Sequence, residues 1–138
     1  MRYLLDVNSL VALAVLDHEF HSRVAIWVRG LGARSLPELA TCSITELGFV
    51  RVLAQAQQYG CSVPKARELL LGLKNSKEIR CTFLPDGRDI SHLPKWVKGP
   101  KQITDGHLAD LAKANDAVLA TLDRRIPGAF LIPLSHPS

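Results

Sequence analysis

The sequence predicts an α/β fold, a central parallel sheet with helices packed on both faces. Three observations carry this. Five short apolar runs, Tyr3–Leu5, Leu39–Cys42, Cys81–Leu84, Ala117–Leu122 and Ala129–Leu134, are continuous rather than alternating, as strands buried on both faces require. Stretches with helical spacing lie between them, and such alternation places helices on either side of a sheet. The 138 residues, 47% hydrophobic and 22% charged, suffice for one domain, read as residues 1–138, with a core of its own.

The elements follow in order. After the first strand, residues 9–16 are apolar all round and predict a short helix buried on most sides. The same run imitates the core of a signal peptide, but Asp6 and Asn8 interrupt its approach and Arg2 alone supplies positive charge, so no secretion signal is expected. Phe20, Val24, Trp27, Val28 and Leu31 make the stripe of a second helix. Past the second strand, Ser43-Ile44-Thr45-Glu46 has the capping-box pattern that opens a third. Pro64 suits the first turn of a fourth, with Ala66, Leu69, Leu70 and Leu73 on its apolar side. The third strand leads to Leu93–Gln102, a surface loop rich in Pro, Gly and Lys. Thr104-Asp105 starts the last helix, with Leu108, Leu111 and Ala112 as its stripe and an acid that suits the helix dipole. No run of 18 apolar residues occurs, so neither a spanning helix nor a membrane partner is expected. Three cysteines without a CxxC pair point away from disulfides and zinc and toward a reduced, cytoplasmic setting. Cys42 and Cys81 read as small buried hydrophobes.

In open α/β sheets ligands collect outside the carboxyl ends of the strands. Asp6 follows the first strand and Asp123 closes the fourth, while Glu46 and Asp105 lie in the first turns of helices at the same edge. Each has a purely structural reading as a helix cap, a dipole partner or a strand-to-loop residue. Jointly they imply more. If the first and fourth strands are neighbours, four carboxylates converge, and two of them ~5 Å apart repel by roughly 3 kcal/mol at an effective dielectric of about 20. Such a pocket either takes up protons or holds a cation, and an all-oxygen set favours Mg²⁺ or Mn²⁺ over zinc.

At these residues the chain resembles a known family. LLDVNSLVAL, TCSITELGFVRVL and QITDGHLADLAKANDAVLATLDRRIPG resemble the PIN-domain ribonucleases, specifically the VapC-type toxins of prokaryotic toxin–antitoxin pairs. The likeness spans nearly the whole chain. It implies a PIN-like α/β/α sandwich with a five-stranded parallel sheet in the order 3-2-1-4-5, which right-handed crossovers also favour. By the same resemblance Asp6, Glu46, Asp105 and Asp123 are the catalytic, metal-binding quartet, with Mg²⁺ or Mn²⁺ as cofactor. Asn8 matches a small polar position and Thr121 a hydroxyl position beside them, although DVN stands where many relatives carry a DTS-like triplet. The implied reaction is hydrolysis of RNA phosphodiesters by water activated at that site. A VapB-like antitoxin and a homodimer are implied as partners; Trp27 and Leu31 serve either the dimer contact or the core. Asp110 and Asp116 match no motif acid, and Asp110, about 140° around the helix from Asp105, reads as part of a solvated face.

Charge agrees with an RNA partner. The net charge is +4, and with four of the 13 acids assigned to the site, nine remain against 17 basic residues. Arg124 and Arg125 beside Asp123, and Lys95, Lys98 and Lys101 around Trp96, are candidate RNA contacts. Trp96 either stacks a base or anchors its loop, and Arg51 either orients a carboxylate, touches phosphate or makes an ordinary ion pair. His18 and His21 lack a third metal ligand at suitable spacing, and no GxSxG, P-loop or GxGxxG is present. Three other readings stand beside the toxin: a PIN nuclease in RNA processing, a receiver-like signalling domain with Asp86 as phospho-acceptor, and a non-catalytic RNA-binding module. The receiver lacks its second early acid and the Lys after its fifth strand.

Overall fold

The computed structural model describes residues 1–33 and 35–134. Strands β1 (Arg2–Leu5), β2 (Glu38–Thr41), β3 (Arg80–Phe83), β4 (Ala117–Thr121) and β5 (Phe130–Leu131) form one sheet in the order β3-β2-β1-β4-β5. All four pairings are parallel, with Leu4 opposite Ala40 and Leu5 opposite Ala120. The expected order therefore holds. It also removes the receiver reading, because receiver domains are wound 2-1-3-4-5.

Neighbouring residues of a strand point to opposite faces, and this divides the core in two. Leu5, Leu39 and Ala120 join Leu10, Val28, Phe49 and Leu70 on one side. That side carries α1 (Val7–Ala14), α2 (His21–Leu31), α3 (Ser43–Gln55) and α4 (Val63–Lys74). Leu4, Ala40 and Leu119 face Leu108, Leu111 and Ala112 of α5 (Ile103–Ala114) on the other. Trp27 lies in the first core, stacked on Phe130 at 5.5 Å and edge-on to Tyr3 at 4.9 Å between ring centroids. Leu31 packs against that core as well, so both residues have the core role.

Several local expectations need correction. Burial on both faces holds for the middle strands and fails at the edges: Arg80 and Phe83 of β3 are exposed and Cys81 is only half-buried, because among the described residues no strand pairs beyond β3. β5 is two residues long, not six, and Pro133, which has no N–H to donate, follows soon after. α1 ends at Ala14, leaving Leu16 beyond it and exposed. The cap of α3 sits one residue earlier than the sequence pattern suggests. Cys42 is the N-cap, and the Thr45 hydroxyl accepts its N–H at 3.0 Å. Glu46 is thereby released from capping.

The loop before α5 runs from Leu84 and contains short helical turns at Ile90–His92 and Pro100–Gln102. Arg88 clamps it to α5, donating to both carboxylate oxygens of Asp110 at 2.9 and 3.1 Å, while His107 meets Asp86. Asp110 is thus no solvated residue: its side chain is only 16% exposed, and the Arg88 guanidinium holds its carboxyl below the usual range. Gly106 lets the loop close, since a methyl group there would run into Val97. Among the described residues no helix is long and apolar enough to cross a membrane.

Candidate active site

β1 and β4 are adjacent, so the residues that leave them meet. Asp6 caps α1, its Oδ1 accepting the Ser9 N–H at 3.0 Å. Its Oδ2 accepts the Thr121 hydroxyl at 2.6 Å, and the Asp123 N–H in turn donates to that hydroxyl oxygen at 3.0 Å. Thr121 therefore ties the first acid to the last. Asp6 is 7% exposed, which makes its two hydrogen bonds necessary rather than incidental.

Asp123 is neutralised locally. Arg125 donates to it from its backbone, Nε and Nη2 at 2.9–3.1 Å, and this fork holds the Asp123 carboxyl below the ordinary carboxylate range. Asp105, in the first turn of α5, is in the opposite condition. Burial pushes its carboxyl above the usual range, and the charges of Asp6 and Asp123 push it further. Asp6, Asp105 and Asp123 thus share one electrostatic field.

Glu46 stands at the same sheet edge with its own counter-charge. Its Oε2 accepts the Thr41 hydroxyl and the Lys74 ammonium, each at 2.6 Å, with both charged side chains largely shielded. The Lys74 ammonium also lies 5.5 Å from the Phe83 ring centroid. Burial raises the nearby Cys81 thiol, with Glu46 adding to this and Lys74 and Thr41 opposing it. Asp6 and Asp123 are therefore joined through Thr121, Asp105 lies within the reach of their charges, and Glu46 is held one strand away. Lys74 and Thr41 were not singled out from the sequence, and no spacing signal links Lys74 to an acid 28 positions earlier.

Among the described residues no three Asp, Glu, His or Cys side chains are grouped closely enough to hold a metal ion. The donor types at this edge nonetheless suit a hard divalent cation. They are all oxygens, and neither Asp6 nor Asp105 has an ion-pair partner among the described residues, whereas Lys74 and Arg125 balance the outer two.

The remaining candidates divide by location. A cavity of about 750 Å³ has Asp6, Asn8, Asp123, Arg124 and Arg125 in its wall, so the paired arginines stand at the acids. Asn8 is exposed in the first turn of α1. Lys95, Lys98 and Lys101 are exposed, while Trp96 packs against the core beneath α5 and lines a different cavity with His92 and Lys113. Trp96 therefore anchors its loop. Arg51 is exposed and does not pair with Glu46; Lys74 does. His21 bonds the Ala12 carbonyl and His18 accepts the Phe20 N–H, which leaves the two histidines with separate structural tasks.

The Asp105 shift has a measurable sign. A carboxyl whose folded-state pKa is raised stabilises the fold most below its unfolded value, and that contribution is lost as pH rises through the folded value. In metal-free buffer the Asp105→Asn variant should gain stability relative to the parent between about pH 4 and pH 7. Paired urea titrations at the two ends of that range check this, and a constant difference between the proteins would contradict it.

Comparison with known proteins agrees with this architecture. Residues 3–129 match the family model for the PIN domain. Ribonuclease VapC44 of Mycobacterium tuberculosis is 37% identical over 139 residues, covering 94% of this chain and 94% of that protein. Ribonuclease VapC29 of the same organism is 36% identical over 124 residues, covering 89% and 86% respectively. Among solved structures, VapBC2 from Rickettsia felis, bound to a DNA fragment from its promoter, superposes with a TM-score of 0.62 at 15% identity, over 98% of this chain and 100% of that one. Mycobacterium tuberculosis VapC20, a Sarcin-Ricin loop cleaving toxin, gives 0.60 at 10% identity, over 96% and 99%. The two structures speak for the fold alone. Matched along nearly its whole length by the family model and by the VapC ribonucleases, the chain belongs to the PIN domain family.

Proposed function

We propose that this protein is a divalent-metal-dependent endoribonuclease acting as the toxin of a type II toxin–antitoxin pair. The observation that carries the reading is the arrangement of acids at the carboxyl edge of β1 and β4, where Thr121 ties Asp6 to Asp123 and a half-buried Asp105 lies within the field of both. The VapC ribonucleases similar to it over most of their length support the same activity. Asp6, Glu46, Asp105 and Asp123 hold Mg²⁺ or Mn²⁺, with Thr121 fixing Asp6 and Asn8 lying at the mouth. Bound there, the cation supplies the positive charge that lowers the pKa of a water molecule and offsets charge developing on the phosphoryl group. Lys74 and Arg125 hold Glu46 and Asp123 in place until then. Arg124 meets the RNA backbone, with Lys95, Lys98, Lys101 and Arg51 forming the outlying basic surface.

The proposal extends to setting and partners. One PIN domain over residues 1–138 works in the cytoplasm as a homodimer, restrained by a VapB-like antitoxin. The deciding experiment uses purified protein and a single-stranded RNA. Cleavage should require added Mg²⁺ or Mn²⁺ and stop in chelator, and the cation should raise the melting temperature in the absence of RNA. Full cleavage in chelator would remove the metal-nuclease reading. A role in RNA processing outside a toxin pair would show instead as cleavage in vitro without growth arrest on expression.

A further inference from the structure

We propose that the cavity beside the acids is a nucleobase subsite. In it one unpaired base next to the cleaved phosphodiester stacks on Phe20 and His18, and Arg124 pairs with the adjoining phosphate. The inference rests on the RNA-cleaving reading above and adds to it a place where the substrate is read.

The same cavity is also walled by the turn between α1 and α2, through His18, Glu19 and Phe20. Phe20 begins the apolar stripe of α2, yet it is 39% exposed while Val24, Trp27 and Val28 further along are buried. Part of its ring is thus left open to the cavity that Asp6 and Asp123 also line. The His18 ring lies 5.8 Å from that of Phe20 between centroids, tilted by 44°, so the two present adjoining π surfaces. The turn that carries them is set in advance. The Phe20 N–H donates to His18 Nδ1 at 3.0 Å, and the His18 N–H to the Val15 carbonyl at 3.1 Å. The His21 ring meets the Ala12 carbonyl at 2.9 Å and closes the far end. A preformed wall loses little freedom when a ligand arrives.

The chemistry of the lining selects the ligand. Its volume of about 750 Å³ falls within the range of small-ligand pockets, about 300–1,000 Å³, and accommodates a nucleotide. Aromatic rings stack any base, and single-stranded RNA is the form whose bases are free to leave their own stack. Arginine recognises phosphate with a planar fork. Glu19, exposed on the same wall, is an acceptor for the exocyclic amino group of a base, so cytosine, adenine or guanine is favoured there over uracil. An aromatic pair, a cation and an acceptor around the acids match the alternation of base and phosphate along one strand.

The test is equilibrium binding of RNA hexamers to the whole chain in EDTA, which separates binding from cleavage. 2-Aminopurine is placed at each position in turn as the stacking reporter. The wild-type protein should quench the reporter at one position. Phe20→Leu should lose that quenching and bind roughly ten-fold or more weakly, Phe20→Trp should restore both, and all should melt near the wild type. His18→Ala gives a second, independent reduction in quenching should Phe20→Leu prove unstable. Glu19→Gln should narrow the preference for cytosine over uracil at the reporter position. Unchanged affinity and quenching in both Phe20→Leu and His18→Ala would overturn the subsite. If cleavage with Mn²⁺ persisted unchanged alongside, the nuclease reading would stand and this wall would belong to a protein partner. If the wild type neither bound nor cut RNA, both readings would fall together.

Discussion

Asp6→Asn should lower RNA cleavage by roughly 10²–10³-fold while leaving the fold intact, the loss equivalent to the several kcal/mol of charge stabilisation that a bound cation provides. The fold survives because Asn is also a good helix cap, so its side-chain oxygen still accepts the Ser9 N–H at the start of α1. The Thr121 hydroxyl, which donates to Asp6 at 2.6 Å, can turn to accept from the new amide. What disappears is one of the two negative charges that, after burial, raise the Asp105 carboxyl. In metal-free buffer the variant should therefore be at least as stable as the parent, and the stabilisation by added Mn²⁺ should shrink. Cleavage rates at saturating Mn²⁺, set beside melting curves with and without the ion, check both halves. A variant that cuts RNA at the parental rate would exclude Asp6 from the chemistry.

The largest effect on stability is expected at Phe49. It is fully buried, and in α3 it lies one turn beyond Glu46, in the core shared with Leu10, Leu53 and Leu70. Phe49→Ala should cost about 3–5 kcal/mol, the lost transfer energy plus the cavity left behind. That is a large part of the ~5–15 kcal/mol that holds a domain of this kind together. Because α3 also presents Glu46 to Thr41 and Lys74, a loosened helix should weaken cation binding even in molecules that remain folded. Urea midpoints report the first consequence, and a loss under about 1 kcal/mol would mean that the surrounding helices close the gap.

How much of this was legible in advance varies by residue. Asp6 and Asp123 stood out at strand ends and Glu46 and Asp105 in helix first turns at the same edge, where a parallel sheet exposes its chemistry, whereas Thr121 was named only through the family resemblance. The strand order followed from resemblance and handedness together. The N-cap of α3 was misplaced by one residue because Ser43 and Thr45 are both hydroxyl residues; only the backbone angles show that Cys42 precedes the helix. Asp110 was misjudged because its partner, Arg88, comes from a loop 22 positions away, and no helical spacing encodes that pairing.

The sequence by itself determined what depends on local period and position. Continuous apolar runs become buried strands, helical stripes become the covering helices, and an acid directly after a strand arrives at the sheet's carboxyl edge. Tertiary structure alone decided which charges meet. Lys74 reaches Glu46, Arg88 reaches Asp110, and Asp105 is buried within the field of Asp6 and Asp123. Most of these partners lie far apart in the chain, and distance through space, not along the sequence, sets an electrostatic energy.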